Sequence, residues 1–169
     1  MRHGAVLAGA LALTACGASP EMGAYVADGP RFVPERFFSG RGHGEATLKV
    51  ILRRRVPVRV ESEGRVAPDG TLVLDQKIRE GDKPARTRQW RIRDVGGGRY
   101  TGTLTDAVGP VTGTATGNRL TLRYTMRGGM KVRQALYLTP DGRAARNRLT
   151  VSKFGLRVAV LDERITKDE

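Results

Sequence analysis

Residues 111–126, VTGTATGNRLTLRYTM, decide the fold class of this chain. Apolar residues or glycine occupy every second position on both sides of Gly117-Asn118, and Thr or Arg fills most of the positions between them. Alternation with a period of two is typical of β-strands that bury one face, and a Gly-Asn pair between two such runs is typical of a hairpin turn. The stretch therefore predicts a β-hairpin with one apolar and one polar face.

The same alternation continues in both directions along the chain, with turn signals between the runs. We count about nine or ten strands and find no stretch with convincing helical periodicity. Strands with one apolar face must bury that face against each other, and closing a meander into a barrel also removes its exposed edges. The sequence predicts an all-β antiparallel meander closed into a barrel, with an open two-layer sandwich as the alternative. The other alternating runs are 46–52, 56–60, 72–78, 90–92, 100–105, 130–138, 149–151 and 156–161.

Length and composition limit the classes of protein that the chain can form. Its 169 residues fit one domain, or one domain with a targeting segment. Lys and Arg total 30 against 17 Asp and Glu, for a net charge of +13. The one cysteine excludes an internal disulfide and a cysteine-based metal cage.

The first residues have the pattern of a secretory leader, with a basic start and an apolar run too short to span a bilayer. The run ends in Leu13-Thr14-Ala15-Cys16, which resembles the lipobox of bacterial lipoproteins. We predict a signal peptide over 1–15, a lipidated Cys16 with a flexible tether over 16–34, and a barrel domain over 35–169. The alternatives are a plain secretory leader with a chance cysteine, or a buried thiol.

Acylation of Cys16 would attach the chain to a membrane surface, since two or three acyl chains anchor stably. Gly17 stands where an Asp would retain an enteric lipoprotein in the inner membrane, which indicates the periplasmic face of the outer membrane. Nucleic acid is scarce there, and no aromatic residues accompany the Arg residues, so we expect no nucleic-acid partner. The basic charge fits attraction to phosphates of lipids or lipopolysaccharide, or a solvated surface alone.

Several short motifs together resemble the domain of unknown function 3833 family of small proteobacterial envelope lipoproteins. The resemblance runs from about Pro34 to Ile165 and implies a lipocalin-like barrel with no assigned activity. The motifs are Phe37-Phe38-Ser39-Gly40, Trp90-Arg91-Ile92, Gly98-Arg99-Tyr100-Thr101-Gly102, Asp106-Ala107-Val108-Gly109-Pro110 with Gly113 and Gly117-Asn118, Asn147-Arg148, and Ser152-Lys153-Phe154-Gly155-Leu156-Arg157-Val158.

No motif for catalysis is found. His3 leaves with the leader and Cys16 is acylated in this interpretation, so His43 is the one remaining general-base candidate, in a glycine-flanked stretch. There is no second His or Cys for a metal and no G-x-S-x-G motif. We expect no enzyme, no catalytic residue, no metal and no cofactor. An unrecognised activity using Asp106, Asn147, Arg148 or Lys153 is the weaker alternative.

The apolar face of the strands indicates what the barrel encloses. Gly102, Gly113 and Ala115 point inward on this assignment, so large neighbours fill the space beside them or it stays open. Arg86 and Arg88 share the inward face with Trp90, either at a cavity mouth for an acidic amphiphile or paired with Asp106. The candidate cavity residues are Trp90, Tyr100, Asp106, Tyr124, Asn147 and Lys153.

The last motif gives residue-level expectations. Phe154 is expected to plug the barrel base, Gly155 to permit a turn, and Arg148 to play a structural part. Ligand contact stays open for Asn147 and Lys153, which share one strand face. We expect a membrane-anchored periplasmic lipoprotein that binds an apolar or amphipathic small molecule or lipid in the barrel. The alternative is an interaction lipoprotein with a filled barrel that acts on an envelope partner through its basic surface.

Overall fold

The computed structural model describes residues 25–26 and 29–168. The predicted signal peptide and Cys16 lie outside the described residues. Within them, no helix combines the length and the apolar character needed to cross a membrane.

Ten antiparallel strands form one closed barrel. Each strand pairs with its neighbours in sequence, and β1 also pairs with β10, with Ala46 opposite Glu163 and Leu48 opposite Leu161. The prediction of an all-β meander closed into a barrel is confirmed, and the two-layer sandwich is excluded. The strands are β1 (Gly40–Val50), β2 (Val56–Val66), β3 (Leu72–Glu80), β4 (Arg86–Asp94), β5 (Arg99–Leu104), β6 (Val111–Thr116), β7 (Arg119–Met126), β8 (Met130–Leu138), β9 (Ala144–Lys153) and β10 (Leu156–Lys167).

A short helix, α1 (Pro34–Phe37), closes one end of the barrel. Phe32 and Phe37 are buried there with ring centroids 5.3 Å apart, and Phe32 N donates to Gly117 O in the β6–β7 turn. The tether predicted to extend through residue 34 is therefore packed against the barrel from Phe32 onward. Its aromatic side chains supply the apolar surface that holds it there.

At the opposite end, residues 25–26 and 29–168 form no such helix, and we call it the open end. It is formed by the loops at 51–55, 81–85, 105–110, 127–129 and 154–155. Inward-facing apolar side chains near this end keep part of their surface accessible, unlike the buried side chains around α1. They are Leu48, Met126, Met130, Leu149 and Leu161.

The space beside the inward glycines is filled by neighbouring side chains. A Cβ at Gly113 would lie 2.8 Å from Leu122 Cδ2 and 3.3 Å from Tyr100 Cβ. At Gly102 it would clash with the backbone carbonyl of Arg91. These glycines permit close packing and leave no empty volume at this part of the wall.

The expectation that Phe154 plugs the barrel base is wrong. Phe154 lies in the two-residue β9–β10 turn with φ of 51°, followed by Gly155 with φ of 80°. Its side chain is 92% exposed. A turn in which both central residues have positive φ directs side chains away from the strands it connects, and here that places the ring in solvent.

Candidate functional site

A band of polar side chains crosses the interior of the barrel between the α1 end and the open end. Its members lie on the inward face of six strands, and we call them the polar layer. They are Gln76 (β3), Arg88 (β4), Tyr124 (β7), Gln134 (β8), Asn147 (β9) and Glu163 (β10).

Gln76 organises one side of the polar layer. Its Oε1 accepts hydrogen bonds from Arg88 Nε at 2.8 Å and from Trp90 Nε1 at 2.9 Å. Trp90 is 4% exposed, and the Arg88 guanidinium carbon lies 5.4 Å from the centroid of its ring. One amide oxygen thus satisfies the indole and fixes the guanidinium beside it.

Tyr124 lies against Trp90, edge to face, with ring centroids 5.4 Å apart. Burial raises the pKa of its hydroxyl to about 12, and the positive charge of Arg88 works in the opposite direction. Tyr124 is therefore a neutral phenol at physiological pH, able to donate a hydrogen bond.

Asn147 and Glu163 form the other side. Asn147 Nδ2 donates to Glu163 Oε2 at 2.7 Å, and burial raises the pKa of the Glu163 carboxyl above its ordinary value. Gly44, next to Glu163 on the inner face, lacks the Cβ that would clash with Glu163 Oε1. Glycine at this position makes room for the carboxyl group inside the barrel.

Two amide oxygens of the polar layer are buried without a hydrogen-bond partner among the described residues. They are Oε1 of Gln134 and Oδ1 of Asn147, in side chains of residues that are 8% and 3% exposed. Gln134 is paired with Leu149, two residues along β9 from Asn147, so the two amides are diagonal neighbours. An unsatisfied buried polar group costs about 1–3 kcal/mol, so the two oxygens are acceptors with unused hydrogen-bonding capacity inside the barrel.

The interior also contains accessible space. Gln76, Arg88 and Glu163 each keep part of their surface accessible, although Arg88 and Glu163 lie deep among protein atoms. The accessible surface of these side chains indicates space inside the barrel beside the polar layer. Together with the partly accessible apolar side chains nearer the open end, they outline a lumen that is polar in its depth and apolar toward its mouth.

Arg86 and Arg88 were each expected either to line a cavity mouth or to pair with Asp106, and the structure gives them different positions and partners. Arg86 Nη1 lies 2.7 Å from Asp106 Oδ2, and this pair stands at the rim. Arg88 lies one inward position deeper and binds Gln76 instead. Among the described residues, Arg86 is the one that forms an ion pair with Asp106.

The structure places the six predicted cavity residues at four locations. Trp90, Tyr124 and Asn147 lie in or against the polar layer, whereas Asp106 is at the rim. Tyr100 is buried near α1, where desolvation, and then the nearby charge of Glu35, raise its pKa to about 12. Lys153 is exposed at the end of β9, with Nζ 5.4 Å from the centroid of the Phe154 ring.

Gln76, Gln134 and Glu163 were missed as site residues. Each is a polar residue at a position where the alternation of its strand calls for an apolar one, as Gln134 between Val132 and Leu136. This interruption of the apolar alternation is the signal that could have identified them as site residues, because a polar group on a buried face needs a partner.

A groove of about 840 Å³ lies on the outer face of β9, β10 and β1. Thr47, Asp162 and Arg148 occupy consecutive registered positions on this face, and Arg148 Nε binds Asp162 Oδ1 at 2.6 Å. Arg148 therefore lies on the outer face in a partly exposed ion pair, away from the polar layer. The groove contains six cationic residues, Lys49, Arg55, Arg146, Arg148, Arg157 and Arg164, against two acidic residues whose side chains face outward, Glu45 and Asp162.

His43 lies near the start of β1, where its Nδ1 is 2.7 Å from Asp168 Oδ1 in an exposed pair. Within the described ranges no three His, Cys, Asp or Glu side chains come together as a metal site would require. The His43–Asp168 pair is not part of the polar layer.

Comparison with known proteins gives a family match and two structural relatives. The family model described as "Protein of unknown function (DUF3833)" matches residues 10–167. The S-type phycobiliprotein lyase CPES from Guillardia theta superposes with a TM-score of 0.64 at 6% identity, over 79% of this chain and 90% of that one. A protein of unknown function from the DUF3598 family of Nostoc punctiforme superposes with a TM-score of 0.61 at 12% identity, over 82% of this chain.

The chain spans 50% of the length of the Nostoc protein. At these identities the likeness shows a shared barrel fold. No curated protein matches the sequence.

Proposed function

The chain belongs to the DUF3833 family, and we propose that its barrel binds an apolar or amphipathic small molecule or lipid through the open end. The observation that carries the proposal is the pair of buried, unpartnered amide oxygens of Gln134 and Asn147. A protein interior rarely leaves such groups unsatisfied, so a donor from a ligand, or from water held beside it, completes them.

The distribution of side chains along the lumen supports an amphipathic ligand. Accessible apolar side chains, among them Leu149, Leu161 and Met130, lie toward the open end, and the polar layer lies deeper. Ligand sites are usually concave and mostly apolar, with a few polar groups that fix orientation. An apolar chain along the wall and a polar head at the polar layer match that arrangement.

Binding of the neutral fluorescent probe N-phenyl-1-naphthylamine tests this proposal. The protein is the full chain carrying Cys16→Ser, which cannot be acylated. We expect saturable fluorescence enhancement, and we expect Leu161→Trp to weaken probe binding at least tenfold because the larger ring fills the lumen. Val160→Trp is the matched control, since Val160 is the adjacent residue on the outer face and lines the groove.

Far-UV circular dichroism and a melting curve confirm that each variant is folded. The proposal is overturned if folded Leu161→Trp binds the probe with unchanged affinity. It is also overturned if the Cys16→Ser chain without a further substitution shows no saturable enhancement. Native mass spectrometry of the protein purified from its own cells gives an independent readout that needs no lumen variant, because a bound ligand adds a discrete mass.

We also propose the cellular setting expected from the sequence. In this proposal, acyl chains on Cys16 hold the protein on the periplasmic face of the outer membrane. Supporting it are the lipobox-like Leu13-Thr14-Ala15-Cys16 and the non-acidic Gly17. In this proposal the role of the protein is binding.

The basic outer groove favours a second candidate function, binding to phosphate groups of an anionic lipid surface. Basic residues near such a surface contribute about 1 kcal/mol each. We expect Arg146→Glu with Arg164→Glu to abolish sedimentation of the Cys16→Ser chain with phosphatidylglycerol vesicles. The control Arg59→Glu with Arg79→Glu makes the same charge change on a registered pair of β2 and β3. Equal losses in the two double variants would show a general charge effect and exclude the groove.

A further inference from the structure

The guanidinium of Arg88 is held in a fixed position inside the barrel. Its Nε donates to Gln76 Oε1 at 2.8 Å, and its carbon lies 5.4 Å from the centroid of the Trp90 ring. The same Gln76 oxygen is held by Trp90 Nε1. The hydrogen bond to Gln76 and the contact with the Trp90 ring fix the guanidinium plane. The Nη edge of the guanidinium therefore also has a fixed direction.

That remaining edge has no protein anion. No carboxylate of residues 25–26 and 29–168 lies within 4.0 Å of Arg88, and no partner of its Nη groups is found in the same ranges. Asp106 forms an ion pair with Arg86 at the rim, and Glu163 accepts a hydrogen bond from Asn147 Nδ2. Buried arginines are ordinarily paired, since an isolated charge in a low-dielectric interior is costly.

The charge balance of the polar layer limits the anion that fits. Arg88 is its one cation, and Glu163, although not in contact with Arg88, contributes acidic character to the same interior. Beside Glu163, a carboxylate adds one negative charge and a phosphate dianion adds two, so the carboxylate leaves less negative charge unbalanced by Arg88. The planar fork of arginine also matches a carboxylate with two parallel hydrogen bonds.

We infer that the lumen takes a long-chain carboxylic acid, with its carboxylate on the Nη edge of Arg88 and its chain directed toward the open end. The inference rests on the proposed function and adds the head group. Tyr124, a neutral phenol whose ring packs against Trp90, is a further donor near the carboxylate. The chain passes the accessible apolar side chains Leu149 and Leu161.

Displacement of N-phenyl-1-naphthylamine from the Cys16→Ser full chain tests the inference. The competitors are tetradecanoic acid, its methyl ester and tetradecylamine, which share a chain and differ in the head group. We expect the acid to displace the probe at a concentration at least tenfold lower than the ester or the amine, a difference of about 1.4 kcal/mol. This comparison needs no variant at the site.

Variants then assign the effect to Arg88. Arg88→Gln is expected to weaken displacement by the acid at least tenfold and to leave the ester unchanged. Arg91→Gln removes the same charge from the exposed outer face of the same strand and should change neither. Arg88→Lys, which keeps the charge and loses the fork, is expected to fall between wild type and Arg88→Gln.

The outcomes separate this inference from the proposed function. A lumen that binds the probe but shows no preference for the acid over the ester overturns the carboxylate inference and leaves the proposed function standing. A preference for the acid that persists in folded Arg88→Gln overturns the assignment to Arg88. Failure to bind the probe at all overturns both proposals.

Discussion

Asn147 donates from Nδ2 to Oε2 of Glu163 over 2.7 Å, and this hydrogen bond joins β9 to β10 inside the barrel. The Asn147 oxygen on the other side of the amide has no partner among the described residues. The amide of Asn147 therefore combines a satisfied donor, which joins β9 to β10, with a buried acceptor whose hydrogen-bonding capacity is unused.

Substitution of Glu163 should change how stability depends on pH. Burial raises the folded-state pKa of Glu163 above its ordinary value of 4.5, so the unfolded chain ionises first as pH rises. The wild type therefore loses stability as pH increases from that value through the raised pKa. We expect the melting temperature of Glu163→Gln minus that of the wild type to become more positive between pH 4 and pH 8.

Melting curves of both proteins across this range measure the difference. Glu45→Gln is the matched control, because Glu45 lies exposed on the outer face of the neighbouring strand β1. A difference for Glu163→Gln that stays constant with pH would contradict the prediction.

Trp90 is expected to be a major contributor to stability. It is 4% exposed, its indole N–H is satisfied by Gln76, and it contacts Tyr124 edge to face. Trp90→Ala should cost about 3–5 kcal/mol in the free energy of unfolding, as is typical for a buried aromatic residue. Urea unfolding followed by circular dichroism measures this. Leu52→Ala, at a side chain that is 98% exposed, should stay within about 0.5 kcal/mol of the wild type.

The β9–β10 turn offers a stabilising substitution. Phe154 and Gly155 both have positive φ, and Asn-Gly is the preferred pair for such a two-residue hairpin turn. Phe154→Asn should raise the melting temperature by a few degrees, since it relieves backbone strain and removes an exposed ring. Phe154→Val, which places a β-branched residue at the same positive φ, should lower it. A loss of stability in Phe154→Asn would mean that the phenyl ring is packed.

Cys16 is predicted to be the site of acylation. Cys16→Ala in the full chain should abolish lipid attachment and leave an unprocessed or soluble protein. Metabolic labelling with a radioactive fatty acid, followed by separation of membrane and soluble fractions, checks both expectations. Wild-type membrane retention and labelling in Cys16→Ala would contradict the prediction.

Strand alternation predicted the fold because it depends on residues close in sequence. The run from Val111 to Met126 forms the β6–β7 hairpin, with Gly117-Asn118 at its turn. The closure of β1 on β10 follows from the need to bury one face and remove both edges. The helix α1 was not predicted, because four residues are too few to show helical periodicity.

The candidate site was predicted less completely, since it joins residues from six strands. Trp90, Tyr124 and Asn147 were identified by their inward parity, whereas Glu163 and Gln134 were not. Parity says which face a residue occupies but not its height in the barrel, which depends on the stagger between strands. Lys153 shows this limit, because it has the same parity as Asn147 and yet lies exposed at the end of β9.

The N-terminal segment reaches the barrel at the end closed by α1. Val26 N donates to Asn118 Oδ1 and Phe32 N to Gly117 O, both in the β6–β7 turn. If Cys16 is acylated, the stretch from Cys16 to Tyr25 extends at most about 30 Å, so the α1 end stays close to the anchoring membrane. Attachment at that end would place the anchor opposite the mouth of the lumen, so we propose that the mouth faces away from the anchoring membrane.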